Sequence, residues 1–292
     1  MVRESAGDRI FHTCIVLFCG FAIVITLYPF VYVLSMYISN PRHVLDQSVW
    51  LYPKGLSVKA YRIVLSNPEI WRSYYNTVWY ATVGTILNLI LTITSAYALS
   101  RPKFFLRKHI MLFIAFTMFF SGGLIPLFII VRKLGIYNTR LAMILPTAVS
   151  AWNLIIARTF LSTNVPETMH ESAFMDGAGE LQILVRIYLP LSKPIIAVLA
   201  LYYAVGHWNA YFNALIFLPN RDLQPLQLYL VRILTQYSNE LVGDINITID
   251  RSAYGVQLKY AAIIFTILPI ICVYPFLQKY FVKGVMIGAL KG

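Results

Sequence analysis

Polar and aromatic side chains recur at helical spacing between positions 202 and 213 of the chain. Tyr202, Gly206, Asn209 and Asn213 follow one another at steps of four, three and four residues, which places them on one face of a helix. Amides and hydroxyls can hydrogen-bond a hydroxyl-rich solute, and aromatic rings can pack on its C–H surfaces. Small and polar residues also hold membrane helices together, so this face indicates either a wet cavity or a helix–helix contact. The candidate residues for the lining of such a cavity, called the path residues below because a solute could pass along them, are Tyr202, Tyr203, Gly206, His207, Trp208, Asn209, Tyr211, Asn213, Trp152 and Asn153.

Two further polar stripes lie on earlier apolar segments. One consists of Thr147, Ser150 and Asn153, and it extends the candidate path. The other is longer, and we expect it to hold helices together rather than to face a cavity. Its members are Thr77, Ala81, Thr85, Asn88, Thr92 and Ser95.

No group that could supply energy or catalysis accompanies these stripes. The apolar segments contain no Asp or Glu, and His207 is the one ionisable residue deep within them, where a lone histidine is usually a hydrogen-bonded packing residue. Gly/Pro-broken helix pairs typical of ion-coupled carriers are not evident. GxxxxGK[ST], HExxH and GxSxG patterns are absent. We therefore predict that the chain is not an enzyme, that it binds no metal or cofactor, and that another subunit powers any transport.

A polar, helix-prone connection at Leu161–Pro194, called the motif loop below, is where such a subunit would dock. Pro166-Glu167 predicts the start of one short helix, and Gly177 suits a turn that requires positive φ. A second amphipathic stretch follows, and Pro190 and Pro194 are expected to end it. Two short helices at an angle would form a compact knob that fits a socket on a partner.

The composition indicates an all-α, polytopic membrane protein. Of 292 residues, 59% are hydrophobic and 12% are charged, compared with about 25% charged in soluble domains. A net charge of +12 is distributed in short clusters between apolar runs, which suits membrane flanks better than a nucleic-acid surface. Three cysteines in apolar runs favour packing roles. Six segments are long enough to span a bilayer: Phe11–Ile38, Tyr75–Leu99, Ile110–Val131, Leu141–Phe160, Ile195–Phe217 and Tyr260–Phe281.

Six spans place both termini on one side of the membrane. The basic connection Ser100–His109 favours a cytoplasmic position for that loop and for the termini. Lysines and arginines counted over the whole chain divide 12 to 12, so the charge rule alone does not fix the orientation. Asn67-Pro68-Glu69 predicts a helix start and a short interfacial helix before the second span. The predicted organisation is a tail and first span at 1–38, an extracytoplasmic loop at 39–74, a five-helix core at 75–281 that contains the cytoplasmic loop 161–194 and the extracytoplasmic loop 218–259, and a cytoplasmic tail at 282–292.

The motif loop resembles the EAA motif, E-A-A-x3-G-x9-I-x-L-P, of importer permeases of the ATP-binding-cassette class. Glu171-Ser172-Ala173, Gly177 and Ile187-Tyr188-Leu189-Pro190 match it, with Ser172 in place of the usual Ala. The wider sequence is similar to the carbohydrate-uptake branch. Phe120-Ser121-Gly122-Gly123-Leu124-Ile125-Pro126 resembles a subset that includes the permeases of alginate importers, and the C-terminal tail is similar to that of the maltose-importer type of second permease.

This resemblance implies the fold of a type I importer transmembrane domain in the bacterial cytoplasmic (inner) membrane. It also implies a second permease, two ATPase subunits that bind ATP and Mg, and an extracytoplasmic sugar-binding protein. In the family the motif glutamate meets the ATPase groove, the glycine shapes the knob, and the tail reaches between the ATPases. The residues implied in coupling are Glu171, Ser172, Ala173, Asp176, Gly177, Leu189 and Pro190, with Lys283, Gly288 and Lys291 as tail contacts.

The nature of the solute is open at this point. The first two predicted outer loops have a net charge of +6 by a count that includes Arg132, Lys133 and Arg140. This field would favour an acidic oligosaccharide such as a uronate oligomer, anionic lipid headgroups or an acidic binding protein. Two other classes of function are an ATP-independent channel and a membrane assembly or structural subunit. A channel would have no use for the motif loop, and a structural subunit would have no use for the polar stripe.

Overall fold

Long apolar runs form helices in the computed structural model, which describes residues 6–57, 62, 65–243 and 255–272. Within those residues the chain is helical except for turns, short connections and one isolated bridge between Ser39 and Leu56. The helices used below are α1 Ala6–Ile38, α2 Pro41–Leu45, α3 Pro68–Ser100, α4 Arg107–Phe119, α5 Leu124–Lys133, α6 Leu141–Thr147, α7 Ala151–Asn164, α8 Glu167–Met175, α9 Glu180–Leu191, α10 Lys193–Trp208, α11 Phe212–Phe217, α12 Leu226–Gly243 and α13 Gly255–Cys272.

Length and composition allow up to six membrane spans, as the sequence predicts. Helices α1, α3 and α13 are each long and apolar enough to cross a bilayer. Three further pairs pass the same test only when both halves are counted together: α4 with α5, bent by 116°, α6 with α7, bent by 52°, and α9 with α10, bent by 84°. The chain therefore has the all-α fold expected for a six-span membrane domain.

The expectation that broken spans are absent is wrong. The predicted third span is interrupted after Phe119, where Gly123 adopts φ +80°, a conformation that only glycine adopts readily. The fourth breaks beside Pro146, which has no backbone N–H to continue a helix. The fifth begins in α10 and is interrupted before α11. Glycine and proline thus mark two of these interruptions.

The second span is longer than predicted. Helix α3 begins at Pro68, where Asn67-Pro68-Glu69 predicts a start, but it continues to Ser100 without interruption. Residues 68–74 are therefore the first turns of the span helix and not a separate interfacial helix. After Pro68 the helix contains no further proline and one glycine, Gly84, and a single glycine costs about 1 kcal/mol, which is too little to end an apolar helix.

The chain divides into two compact units, residues 1–68 with 230–269 and residues 69–229 with 270–292. In the first unit, the end of α1 is capped by Gln257 of α13, which donates hydrogen bonds to the carbonyl oxygens of Tyr37 at 3.0 Å and Ser39 at 2.6 Å. Met36, Val44 and Val49 form a small core there. Most of α1 is solvent-exposed in the single chain, so its apolar surface is left for lipid or another subunit.

In the second unit, the largest core joins α3 and α7 to the helices of the motif loop and to α10. Its fully buried members include Ala96, Ala157, Leu161, Ile183 and Leu199. The predicted apolar run Leu226–Leu234 forms part of α12, and Leu226, Leu228 and Tyr229 are buried. The predicted sixth span is described only as far as Cys272.

A buried side chain satisfies the backbone at the break between α6 and α7. Asn88, in the middle of α3, donates hydrogen bonds to the carbonyl oxygens of Thr147 at 2.6 Å and Ala148 at 2.7 Å. Asn88 has no exposed surface. In a bilayer no water is available to free carbonyls, so an interrupted span requires such a partner.

We predict that Asn88→Leu destabilises the folded chain. The substitution keeps the size of the side chain but leaves two carbonyls without donors, and each unsatisfied buried group costs about 1–3 kcal/mol, so a loss of roughly 2–4 kcal/mol is expected. Unfolding of the purified protein in lipid bicelles measures this loss. Thr94→Val is the control, because Thr94 is exposed and its hydroxyl bonds the carbonyls of Ile90 and Leu91 within its own helix. Equal stabilities of the two variants would contradict the role assigned to Asn88.

Candidate functional site

A cavity of about 410 Å³ lies where α10 passes into α11. One side is formed by residues of α6, α7 and the break between them, and the other by α10, α11 and the three residues that join them. Its lining consists of Met143, Thr147, Ser150, Asn153, Tyr202, Tyr203, Gly206, His207, Asn209, Ala210, Tyr211, Phe212 and Asn213. The two broken spans therefore create a space that straight helices would fill.

Eight of the ten predicted path residues line this cavity. The exceptions are the two tryptophans: Trp152 is 60% exposed on α7, and Trp208 is at the end of α10 outside the lining. Each adjoins a lining residue in sequence and points elsewhere because successive helical residues face different directions. Met143, Ala210 and Phe212 also line the cavity and are not among the residues predicted from the sequence. Met143 could have been found, because it precedes Thr147 by four residues on the same helical face.

His207 is held by a hydrogen bond whose direction follows from its partner. Both amide hydrogens of Asn88 are donated to backbone carbonyls, so the Asn88 Oδ1 atom must accept a hydrogen bond from the N–H at His207 Nε2, 2.6 Å away. The ring therefore carries its proton on Nε2. His207 is 5% exposed and also lines the cavity, so it is both a packing residue and a cavity residue.

Tyr203 links α10 to α3 and to the break between α6 and α7, one turn earlier on α10. Its hydroxyl is 2.7 Å from Thr92 Oγ1 on α3, and it accepts a hydrogen bond from the Ser150 N–H at 3.4 Å. Thr92 and Asn88 both belong to the polar stripe of α3 and are fully buried, and neither lines the cavity. The prediction that this stripe holds helices together is confirmed at these two residues.

Close approach of helices at this site depends on Gly84. A Cβ atom at position 84 would lie 2.4 Å from His207 Nε2, well inside contact distance. On the opposite helix, a Cβ atom at Gly206 would meet nothing within 4 Å. Gly84 therefore makes room for the imidazole, whereas Gly206 leaves open space in the cavity wall.

The motif loop has the predicted two-helix form. Helix α8 ends at Met175, Gly177 adopts φ +83° as predicted, and α9 follows after Gly179. Helix α9 does not end at Pro190: it continues to Leu191 through a π-helical turn at Leu184–Tyr188. The wider turn removes the need for a hydrogen bond from the Pro190 nitrogen, which has no proton.

The surface of this knob combines charge with exposed apolar side chains. Glu171, Ser172, Asp176, Gly177 and Pro190 are exposed, whereas Ala173 and Leu189 are half-buried against the core. Phe174, Met175 and Leu181 are 60%, 85% and 74% exposed, respectively. Large exposed apolar groups beside a carboxylate form a surface suited to a partner. The predicted tail contacts Lys283, Gly288 and Lys291 lie outside the described residues.

Several of the cations counted in the predicted positive field have partners within the chain, among them Arg72, Arg132 and Arg140. Arg72 forms an ion pair with Asp222. Arg140 stacks over Trp79 at 4.8 Å and Tyr75 at 5.3 Å, and it donates to Asn76 Oδ1 at 3.2 Å. The Asp222 carboxylate offsets the charge of Arg72, so the field available to an incoming solute is smaller than the net charge of +6 suggests, whereas the neutral partners of Arg140 only position it.

Comparisons with known proteins agree with this architecture. A family model described as "Binding-protein-dependent transport system inner membrane component" matches residues 89–287, which include the motif loop and all the residues that line the cavity. Protein LplC of Bacillus subtilis is 38% identical over 292 residues, covering 100% of this chain and 98% of its own length. The polygalacturonan/rhamnogalacturonan transport system permease protein YtcP of Bacillus subtilis is 37% identical over 286 residues, covering 98% and 99%.

A solved structure has the same fold. One chain of the crystal structure of a bacterial ABC transporter involved in the import of the acidic polysaccharide alginate superposes with a TM-score of 0.87. It is 35% identical in sequence, and the match covers 96% of this chain and 100% of that chain.

We predict that Gly84→Ala disturbs the site whereas Gly206→Ala does not. The new methyl group at position 84 must displace the buried imidazole, and overpacking of this kind costs about 1–3 kcal/mol. At position 206 the methyl group enters open space, so stability should be unchanged or slightly higher. Thermal unfolding of both variants in detergent measures the difference. A Gly84→Ala protein as stable as Gly206→Ala would refute the close contact between α3 and α10.

Proposed function

The chain belongs to the family of binding-protein-dependent transport system inner membrane components and is a permease subunit of an ATP-binding-cassette importer. From this premise we propose separate roles in import for its motif loop and its cavity. The motif loop receives movement from a separate ATPase. The cavity between α6, α7, α10 and α11 forms this subunit's part of the sugar path.

The single observation that carries the coupling role is the exposed knob formed by α8 and α9. Gly177 turns the chain between the two helices, and Glu171 lies on the exposed side beside Phe174 and Met175. Its position at the surface suits a socket on another protein, because an apolar patch with a charge at its edge gains both burial and orientation on docking. ATP then acts by binding differently to the two states of the complex.

The path role rests on the chemistry of the cavity lining. Asn153, Asn209 and Asn213 offer amides, and Tyr202 and Tyr211 offer aromatic rings that are 43% exposed. Such groups suit hydroxyl-rich solutes, whose hydrogen bonds must be replaced as water is lost. The eight lining residues predicted from the sequence are proposed as path residues. Trp152 and Trp208 are proposed to pack behind the residues that line the path.

We further propose that the solute is an acidic oligosaccharide. Support comes from YtcP, whose name specifies polygalacturonan and rhamnogalacturonan, and from the alginate importer, whose structure this chain resembles at 35% identity. Both names describe uronate-containing polymers. The excess of basic residues in the predicted outer loops is consistent with attraction of such a solute or of its binding protein.

The assembly proposed around this chain contains a second permease, two ATPase subunits and an extracytoplasmic sugar-binding protein in the bacterial inner membrane. Both termini and the motif loop would be cytoplasmic, and Lys283, Gly288 and Lys291 would contact the ATPases. Labelling of a Met175→Cys variant in intact cells tests the orientation. Reaction with a membrane-impermeant reagent from outside would overturn it. Removal of 282–292 should weaken recovery of the ATPase, and full recovery would exclude the tail contact.

The coupling proposal predicts that Gly177→Asp reduces co-purification of the ATPase, whereas Gly179→Asp does not. Residue 177 has φ +83°, and an L-residue there costs roughly 1–2 kcal/mol, so the turn of the knob is distorted. Gly179 receives the same charge at φ −74° in the cap position of α9, where Asp is favourable. Equal recovery of the ATPase with both variants would contradict the prediction.

A second pair of variants separates docking from the knob's own contacts. Glu171 Oε1 is 3.3 Å from Lys103 Nζ, and both side chains are largely exposed. Glu171→Ala should lower recovery of the ATPase, whereas Lys103→Ala should not, because an exposed ion pair contributes little to the fold. If both variants lower it equally, the internal ion pair and not the partner contact is responsible.

The substrate proposal predicts which binding protein stimulates the reconstituted complex. Proteoliposomes that contain this chain, its second permease and its ATPase are given binding protein loaded with an oligogalacturonate, an alginate oligomer or a neutral arabino-oligosaccharide. Loaded binding protein should raise ATP hydrolysis about tenfold for an acidic oligomer, a coupling of ordinary size between two sites. Stimulation by the neutral sugar alone would exclude an acidic solute, and no stimulation by any of the three would refute the transport role.

A further inference from the structure

Arg101 is a buried cation at the junction of α3 and the motif loop. It follows the last residue of α3, and only 8% of its surface is exposed. A buried guanidinium is tolerated only when its donors are paired, because loss of hydration strongly disfavours an isolated charge. The partners of Arg101 therefore identify the helices that cannot move away from α3 without leaving the buried guanidinium unpaired.

The partners of Arg101 come from both helices of the motif loop. Nη2 donates to Glu167 Oε1 in the first turn of α8 at 2.6 Å. Nη1 donates to the Tyr188 hydroxyl in α9, also at 2.6 Å. The guanidinium carbon lies 5.9 Å from the ring centroids of Tyr97 in α3 and Tyr188 in α9. One side chain thus joins the end of α3 to α8 and to α9.

A second connection reinforces the first. The Tyr97 hydroxyl of α3 donates to a carboxylate oxygen of Glu180 at the start of α9. His170 of α8, 7% exposed, has its Nε2 atom 3.1 Å from the other oxygen of the same carboxylate. The hydrogen bond from Tyr97 contributes most to lowering the pKa of Glu180, followed by the bond from His170, so the carboxylate stays ionised as an acceptor. Together these side chains, with Arg101, Glu167 and Tyr188, form what we call the Arg101 cluster.

The basic connection also contains a pair of the opposite kind. Lys103, two residues after Arg101, reaches Glu171 of α8 at 3.3 Å, but its side chain is 79% exposed and that of Glu171 is 51% exposed. An exposed pair of this kind is screened by water and holds its partners weakly. Lys103 is therefore a matched control for Arg101: it has the same charge, lies in the same connection and contacts the same helix α8.

The geometry of α3 shows where movement of the knob would be transmitted. Helix α3 is continuous from Pro68 to Ser100 and contains Thr92 and Asn88, nine and thirteen positions before Arg101. At 1.5 Å per residue these side chains are about 14 and 20 Å along the axis. They bond Tyr203 and His207 at the cavity. The alternative connection from α9 into α10 is bent by 84° at Ser192.

We propose that Arg101 is the positioning residue that ties the motif loop to α3, so that displacement of the knob moves α3 and, through it, the cavity residues Tyr203 and His207. This inference rests on the proposed coupling role of the knob and adds the residue through which coupling passes within the chain. Docking of the ATPase uses the exposed side of the knob, whereas Arg101 acts on its buried side. Loss of Arg101 should therefore separate ATP hydrolysis from sugar movement without preventing assembly.

The experiment compares Arg101→Met, Arg101→Lys and Lys103→Met in the full reconstituted complex. Sugar taken up per ATP hydrolysed is measured in proteoliposomes with loaded binding protein, together with recovery of the ATPase. Arg101→Met should keep the ATPase bound and active while uptake per ATP falls about tenfold, a typical magnitude of coupling between sites. Arg101→Lys should recover part of the ratio, because it keeps the charge but not the fork of donors. Lys103→Met should match the wild type.

Two further variants apply if Arg101→Met does not assemble. Tyr188→Phe removes one hydrogen bond and keeps the ring, and Glu167→Gln keeps an acceptor but removes the charge, so both leave the packing intact. Each should lower uptake per ATP while the amount of assembled complex is unchanged. An unchanged ratio in every variant that assembles would overturn the proposal. A wild-type complex that takes up no sugar would instead overturn the proposed function.

Discussion

The requirement that every backbone carbonyl inside a bilayer find a donor within the protein governs the centre of this molecule. The fourth span is interrupted beside Pro146, and the freed carbonyls of Thr147 and Ala148 are both satisfied by the amide of Asn88. Because both amide hydrogens are used there, the remaining oxygen must accept from His207. One asparagine thus determines how α3, α6 and α10 meet, and it fixes the tautomer of the histidine at the cavity wall.

The cavity is a consequence of the same interruptions. If the fourth and fifth spans were straight, they could pack against each other along their whole length. Leu154 of α7 and Leu199 of α10 lie in the same buried core of the second unit, where the helices do pack closely. Where α6 ends and where α10 gives way to α11, the axes diverge, and Asn153, Asn209 and Asn213 face the space between them. The amides of these three residues make the space suitable for a hydroxyl-rich solute, whereas Asn88, which satisfies the backbone of the break in the fourth span, lies outside the lining.

The sequence predicts much of this because helical periodicity and glycine chemistry act locally. The spacing of Tyr202, Gly206, Asn209 and Asn213 identifies a face that lines the cavity, and Gly177 has the positive φ that its place in the motif requires. The role of Asn88 is not local: its partners are 59 and 60 positions away. The burial of Arg101 is equally remote, because the charge pattern of Ser100–His109 resembles an exposed basic loop, and only folding distinguishes Arg101 from Lys103.

Charged contacts lie where α3 meets the motif loop, neutral contacts lie at the cavity, and the two kinds of contact differ in strength. The Arg101 cluster at the end of α3 contains a buried cation, and separating such groups is costly because the charge cannot be rehydrated. The bonds at the cavity join neutral amides, hydroxyls and an imidazole, as in Thr92 with Tyr203. A neutral hydrogen bond is worth only about 0.5–1.5 kcal/mol net, and a hydrogen bond to a charged group about 1.5–3 kcal/mol. The junction with the motif loop therefore resists separation more strongly than the contacts at the cavity wall.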